Sequence, residues 1–247
     1  MIFGWLRRRR RRKLLAEPFP SDWEALLEKQ VFYPRLCASD RAALRVIVRV
    51  LVAEKLWTAC GGLSMTDAIR VSIAAHAARL IFKRPHDFYD GTDEILVYPG
   101  KFYDPSEREE RGGFVSEEGE TLVGQAHASG PVILSWDETR RSLARSRDGS
   151  NVVLHEFAHR LDMADGWADG VPVSAGADAW HALMERERKR LARGVGKVLD
   201  PYGADDPAEF FAVATEAFFE AGGGLKRERP ELYDALMKFY GQDTAGG

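Results

Sequence analysis

Residues 151–165 read Asn-Val-Val-Leu-His-Glu-Phe-Ala-His-Arg-Leu-Asp-Met-Ala-Asp, and His155-Glu156-Phe157-Ala158-His159 within them has the spacing H-E-x-x-H. On an α-helix, positions i and i+4 share a face. Two imidazoles spaced in this way can hold one small cation, and Zn²⁺ accepts such ligands well. Glu156 stands beside the first of them, within reach of water at the metal but outside the coordination shell. Such a metal lowers the pKa of water toward about 7, which makes it a nucleophile near neutral pH. Leu154, Phe157, Ala158 and Leu161 form an apolar stripe that leaves His155, His159 and Asp162 on another side, and Gly166 is a stop signal. The plainer reading is a pair of surface histidines near a glutamate. A structural zinc would normally bring four protein ligands, and only three assemble here.

The third ligand is open. In the metzincin continuation H-E-x-x-H-x-x-G-x-x-H, the glycine position is Asp162 and the final histidine position is Asp165. Without the glycine there is no sharp turn to bring Asp165 back. Asp162 suits an acceptor that orients an imidazole N–H or binds a nearby backbone group. Glu209 and Glu216 lie seven apart on a second predicted helix, in Asp206-Pro207-Ala208-Glu209-Phe210-Phe211-Ala212-Val213-Ala214-Thr215-Glu216, and so share a face. Each also has an ordinary reading. Asp206 as N-cap, Pro207 at N1 and Glu209 at N3 make a capping box, and Glu216 sits among Phe211, Phe218 and Phe219 as a lone buried carboxylate. Spacing does not choose between them.

The elements that must position these groups read as helices, then a small sheet, then helices. Ser21-Asp22-Trp23-Glu24 has capping-box spacing. Ala43, Leu44, Ile47, Val48 and Leu51 predict an amphipathic helix over 40–58, ended by Cys60-Gly61-Gly62, and a third helix runs from Ser64–Asp67 to about Phe82. Short β-type runs at Ile95–Tyr98, Phe114-Val115 and Val132–Trp136 predict a small mixed or antiparallel sheet. Helices return at about 150–164, 178–193, 206–221 and 230–240. The order predicts one mainly helical α+β domain over 20–247, with a helical part (20–90), a small sheet (91–137) and the helices bearing the site (150–240), rather than alternating βαβ units.

The chain has 247 residues, 45% hydrophobic and 30% charged, and a net charge of -3. Arg7–Arg12 and Lys13 give residues 1–16 a charge of +7, which leaves -10 on the rest. An acidic body lacks the basic face that nucleic-acid binding needs. Residues 1–19 are expected to be a flexible basic tail, drawn at most weakly to anionic lipid or nucleic acid. No apolar run reaches the 18 or more residues of a membrane span. The apolar Met1–Leu6 precede the arginines, the reverse of a secretory signal. Cys37 and Cys60 make neither a disulfide framework nor a CxxC pair, so a cytoplasmic protein is expected.

His155–Asp162, followed by Asp206-Pro207-Ala208-Glu209-Phe210-Phe211-Ala212-Val213, resembles the Mlc titration factor A (MtfA) family of bacterial zinc peptidases. Cys60–Leu63, Ile73-Ala74-Ala75-His76-Ala77 and Gly130–Trp136 are similar too, and the likeness covers roughly residues 20–242. The family is similar in its catalytic domain to the anthrax lethal factor protease, a gluzincin. The resemblance implies one Zn²⁺ held by His155, His159 and Glu209, Glu156 as general base, and Tyr202 as a stabiliser of the transition state. It leaves Asp162 and Glu216 as supporting carboxylates or alternative ligands. It further implies aminopeptidase-like hydrolysis of short peptides and sequestration of a Mlc-like transcriptional repressor; the alternative is a regulatory repressor-binding protein in which the zinc site is mainly regulatory or structural. Val132, Ile133, Leu134, Ser135 and Trp136 are read as the edge strand that pairs with substrate backbone. His76 departs from the family, standing where a glutamine is expected, and is read as a core histidine.

Overall fold

The computed structural model describes residues 2–100, 130–144, 149–172 and 176–246. Helices α1 (Ile2–Ala16), α2 (Ser21–Leu27) and α3 (Ala38–Glu54) lead into strand β1 (Leu56–Ala59). Helix α4 (Asp67–Ile81) then crosses to β2 (Glu94–Tyr98), and β3 (Val132–Ser135) runs directly into α5 (Trp136–Ala144). The C-terminal half supplies α6 (Val152–Asp162), α7 (Ala177–Ala192), α8 (Pro207–Glu220), α9 (Gly222–Glu228) and α10 (Pro230–Tyr240). The chain is mainly helical with a small sheet, as expected. Among the described residues no helix is long and apolar enough to cross a membrane.

Three expectations about the elements are corrected. The helix expected over 40–58 stops at Glu54, because Lys55 turns extended after its N–H closes the last turn on Leu51 O. Leu56–Ala59 then pair with β2 as a strand that the sequence pattern did not separate from the helix. The described sheet is parallel throughout, in the order β1-β2-β3, with Trp57 opposite Ile95 and Val97 opposite Leu134. A parallel pair needs a long crossover, and α4 provides it between β1 and β2. Trp136 is the first residue of α5, so the strand ends at Ser135. The expected strand at Phe114-Val115 lies outside the described residues.

The basic N-terminal segment is helical where a flexible tail was expected. Arginine is a good helix former, and the helix is anchored by Arg11, whose Nε and Nη2 donate to Glu54 at 2.8 and 2.7 Å while its guanidinium lies over Phe88. The capping box expected at Ser21 does not form: Ser21 is already helical after Pro20, and Glu24 instead accepts from the Tyr33 hydroxyl at 2.9 Å.

Two helices form the interior. In α4, Val71 to Ala78 are buried on every side, and four alanines allow neighbouring backbones close approach. In α8, every residue from Ala208 to Glu220 is buried except the half-exposed Glu209. A helix apolar all round belongs in a core, and Phe218 of α8 packs between Tyr233 and Tyr240 at ring separations of 5.2 and 5.6 Å. Helix α6 lies against both α8 and α4, so the H-E-x-x-H helix is seated on the two helices that form the interior.

Candidate metal centre

Helix α6 begins at Asn151, whose Oδ1 accepts Leu154 N–H at 3.2 Å as an N-cap. Val153, Leu154, Phe157 and Ala158 are buried, which turns His155 and His159 toward a cleft. Helix α8 begins at Asp206, whose Oδ1 accepts Glu209 N–H at 2.9 Å, with Pro207 in the first turn. The backbone half of a capping box is therefore present. The Glu209 side chain does not return to close it but points to the histidines.

His155 Nε2 and His159 Nε2 lie 3.1 Å apart, and Glu209 places Oε2 3.0 Å from the first and Oε1 3.4 Å from the second. Glu216 lies one further turn pair along α8 and takes the opposite nitrogen of His155, with Oε1 2.7 Å from Nδ1, while its Oε2 accepts Asn151 N–H. A carboxylate at Nδ1 holds a proton there, so the proton that a metal would displace is the one on Nε2, which faces His159 and Glu209. Glu209 Oε2 is buried and has no hydrogen-bond partner. Three ligand atoms, His155 Nε2, His159 Nε2 and a Glu209 oxygen, thus converge, and among the described residues this is the group suited to a metal. Tetrahedral ligands at about 2.0–2.1 Å from Zn²⁺ would be roughly 3.3 Å apart, so the donor set fits such an ion.

Without a metal, burial lowers the His155 imidazole, but the carboxylates of Glu209 and Glu216 outweigh it and hold its pKa up at about 10. Burial pushes the Glu209 carboxyl up, and the two histidines pull it further down, well below the usual range. Glu156 is pushed up by burial, with the neighbouring imidazoles opposing. Tyr202, on the 3₁₀ turn Pro201–Ala204, has its ring 6.2 Å from that of His155. Burial, assisted by Glu209, raises its hydroxyl to about 12. His155, Glu156, Tyr202 and Glu216 line one cavity of about 900 Å³ with Glu138 and Lys197 at its edge.

The other candidates stand apart from this donor set. Asp165 accepts Trp167 N–H at 3.1 Å. Asp162 is fully buried at the end of α6 and accepts Gly170 N–H at 3.0 Å, and burial raises its carboxyl to about 7. Gly170 has φ +73°, and a Cβ there would collide with the Pro207 carbonyl, two residues before Glu209. Its own carbonyl accepts Trp180 Nε1–H at 2.8 Å. This joint ties the end of the histidine helix to the start of the glutamate helix. Sequence reasoning did not find Asn151 or Arg160. The signal for Asn151 was an Asn three residues before a helical Leu. For Arg160, which donates to the carbonyls of Gly130 and Pro131 at 2.7 and 2.8 Å just before β3, there was none. His76 is buried with its Nδ1 3.0 Å from Asn151 Nδ2 and its Nε2 3.3 Å from Gln30 Oε1.

The family model for the glucose-regulated metallo-peptidase M90 matches residues 5–241. The chain belongs to the M90 metallopeptidase family. Two curated proteins named Mlc titration factor A are similar to this M90 chain. That of Pectobacterium atrosepticum is 32% identical over 230 residues, covering 90% of this chain and 86% of the relative. That of Edwardsiella ictaluri is 33% identical, covering 85% and 87%. An uncharacterized Synechocystis protein is 35% identical over 240 residues, covering 94% and 87%. In this M90 peptidase the match includes both histidines, Glu156 and Glu209, and all but the first few residues of α1.

Proposed function

We propose that the protein is a zinc-dependent peptidase of aminopeptidase-like action on short peptides, with Zn²⁺ held by His155, His159 and Glu209. The convergence of the His155, His159 and Glu209 ligand atoms, with Glu216 holding the far nitrogen of His155, carries this reading. Bound there, Zn²⁺ would supply Lewis acidity, acidifying water and polarising a carbonyl. Glu156 takes the proton from the attacking water and delivers it to the leaving amine. Tyr202, kept protonated by its raised pKa, donates a hydrogen bond to the developing oxyanion. Strand β3 is an edge among the described residues and offers its free side to an extended peptide. Arg160 holds the chain entering β3 against the histidine helix. Asp162 and Glu216 act as supports, Asp162 through Gly170 and Glu216 through His155.

The test is Glu156→Gln, assayed on aminoacyl chromogenic substrates with metal content measured in parallel. Hydrolysis should fall by about 10²–10⁴ with metal retained. Undiminished turnover would refute the assignment of the base.

A second reading rests on the names of the relatives: this chain also binds a Mlc-like repressor. Glu156→Gln separates the two roles, because binding of a purified Mlc-type repressor should survive the loss of hydrolysis.

A further inference from the structure

Beside Asn151, the N-cap of α6, lies a second cavity, of about 690 Å³. That is within the ordinary range for small-molecule sites. Its wall includes His76, Arg79, Asn151 and Glu220, and its rim carries Arg35 and Arg227. Arg79 is held between the rings of Phe32 and Phe219, 4.5 and 4.9 Å from their centroids. It donates to Glu220 Oε1 at 2.7 Å and to Phe219 O at 2.9 Å. A guanidinium has five N–H donors, so Arg79 has donors to spare. Glu220 is its one carboxylate partner, and the other acid on the wall, Asp243, is engaged by the Tyr233 hydroxyl and Ala245 N–H. Arg35 and Arg227, both exposed, have no acidic partner among the described residues. The cavity therefore holds three guanidiniums against two committed carboxylates. Burial depresses both Arg79 and His76; Glu220 opposes it at Arg79, Arg35 adds to it there, and Arg79 adds to it at His76.

We propose that this cavity binds a small oxyanion, a phosphate or a carboxylate, through Arg35, Arg79 and Arg227. Its floor adjoins the metal centre. Asn151 Nδ2 contacts His76 and Glu220, while the backbone N–H of the same residue is held by Glu216, which orients His155. An oxyanion drawn to Arg79 competes with Glu220 and is felt at Asn151, the residue that caps the histidine helix.

Calorimetric titration of the metal-loaded full chain with inorganic phosphate, and separately with succinate, tests this. At least one should bind saturably, and the pair distinguishes phosphate from carboxylate recognition. The double variant Arg35→Ser/Arg227→Ser, at two exposed positions, should weaken binding at least tenfold. Glu209→Gln should leave binding intact, which separates this site from anion binding at the metal. In the wild type the ligand should shift the His76 ring ¹⁵N resonances. No saturable binding of either anion, or equal affinity in the double variant, overturns the proposal.

Discussion

The two ends of α8 each carry a half-buried or buried carboxylate facing α6 or its cap, and they are answered in opposite ways. At the N-terminal end, Glu209 meets the Nε2 atoms of His155 and His159 at 3.0 and 3.4 Å. At the C-terminal end, Glu220 meets the Arg79 guanidinium at 2.7 Å. A buried carboxylate answered by a cation is a structural pair. One that meets two imidazoles from a single helix face belongs to a ligand set in which a metal ion can take the place of protons. Glu216, between them, is intermediate: it reaches the metal donors only through the far nitrogen of His155.

Substitutions can break this contrast in order of size. His159→Ala removes a donor at the open end and should reduce bound metal from one per chain to none by elemental analysis, with hydrolysis at background. Metal retained at full stoichiometry would mean that the donor set is misassigned. Arg79→Met leaves Glu220 buried without a cation and should cost about 3–5 kcal/mol of stability, read by denaturant unfolding. Its effect on metal affinity should stay under about tenfold, and a larger one would erase the distinction between the two ends. Glu216→Gln keeps the fold but weakens the hold on His155, so metal affinity should drop by about 10–100-fold in a competition titration with a chelator. No change would make Glu216 a bystander.

The sequence made the open end legible because its chemistry is local. H-E-x-x-H sits within a single turn, and Asp206-Pro207 marks a helix start that the structure reproduces. Local spacing could not say which way the Glu209 side chain turns, since a carboxylate at N3 serves either a capping box or a metal. Nor could it separate Glu209 from Glu216, because one helix face presents both and only the opposed nitrogens of His155 distinguish them. The resemblance to a known family favoured Glu209. Strand β1 was missed because Leu56–Ala59 continue the apolar rhythm of the helix before them. Strand direction is not written into four-residue runs, although α4 between two β-type segments is a crossover in retrospect. The arginine run read as a flexible tail because Glu54 and Asp90, which anchor Arg11, are remote in sequence.

The joint at Gly170 carries a consequence for how the peptidase can vary. The gap between its two metal-bearing helices is gauged by backbone lying against backbone, at a point where any side chain would act as a wedge. Exchanges at residues lining the cavity beside His155 leave this spacer untouched, whereas a single added methyl group at position 170 would push the two helices apart and with them His159 and Glu209.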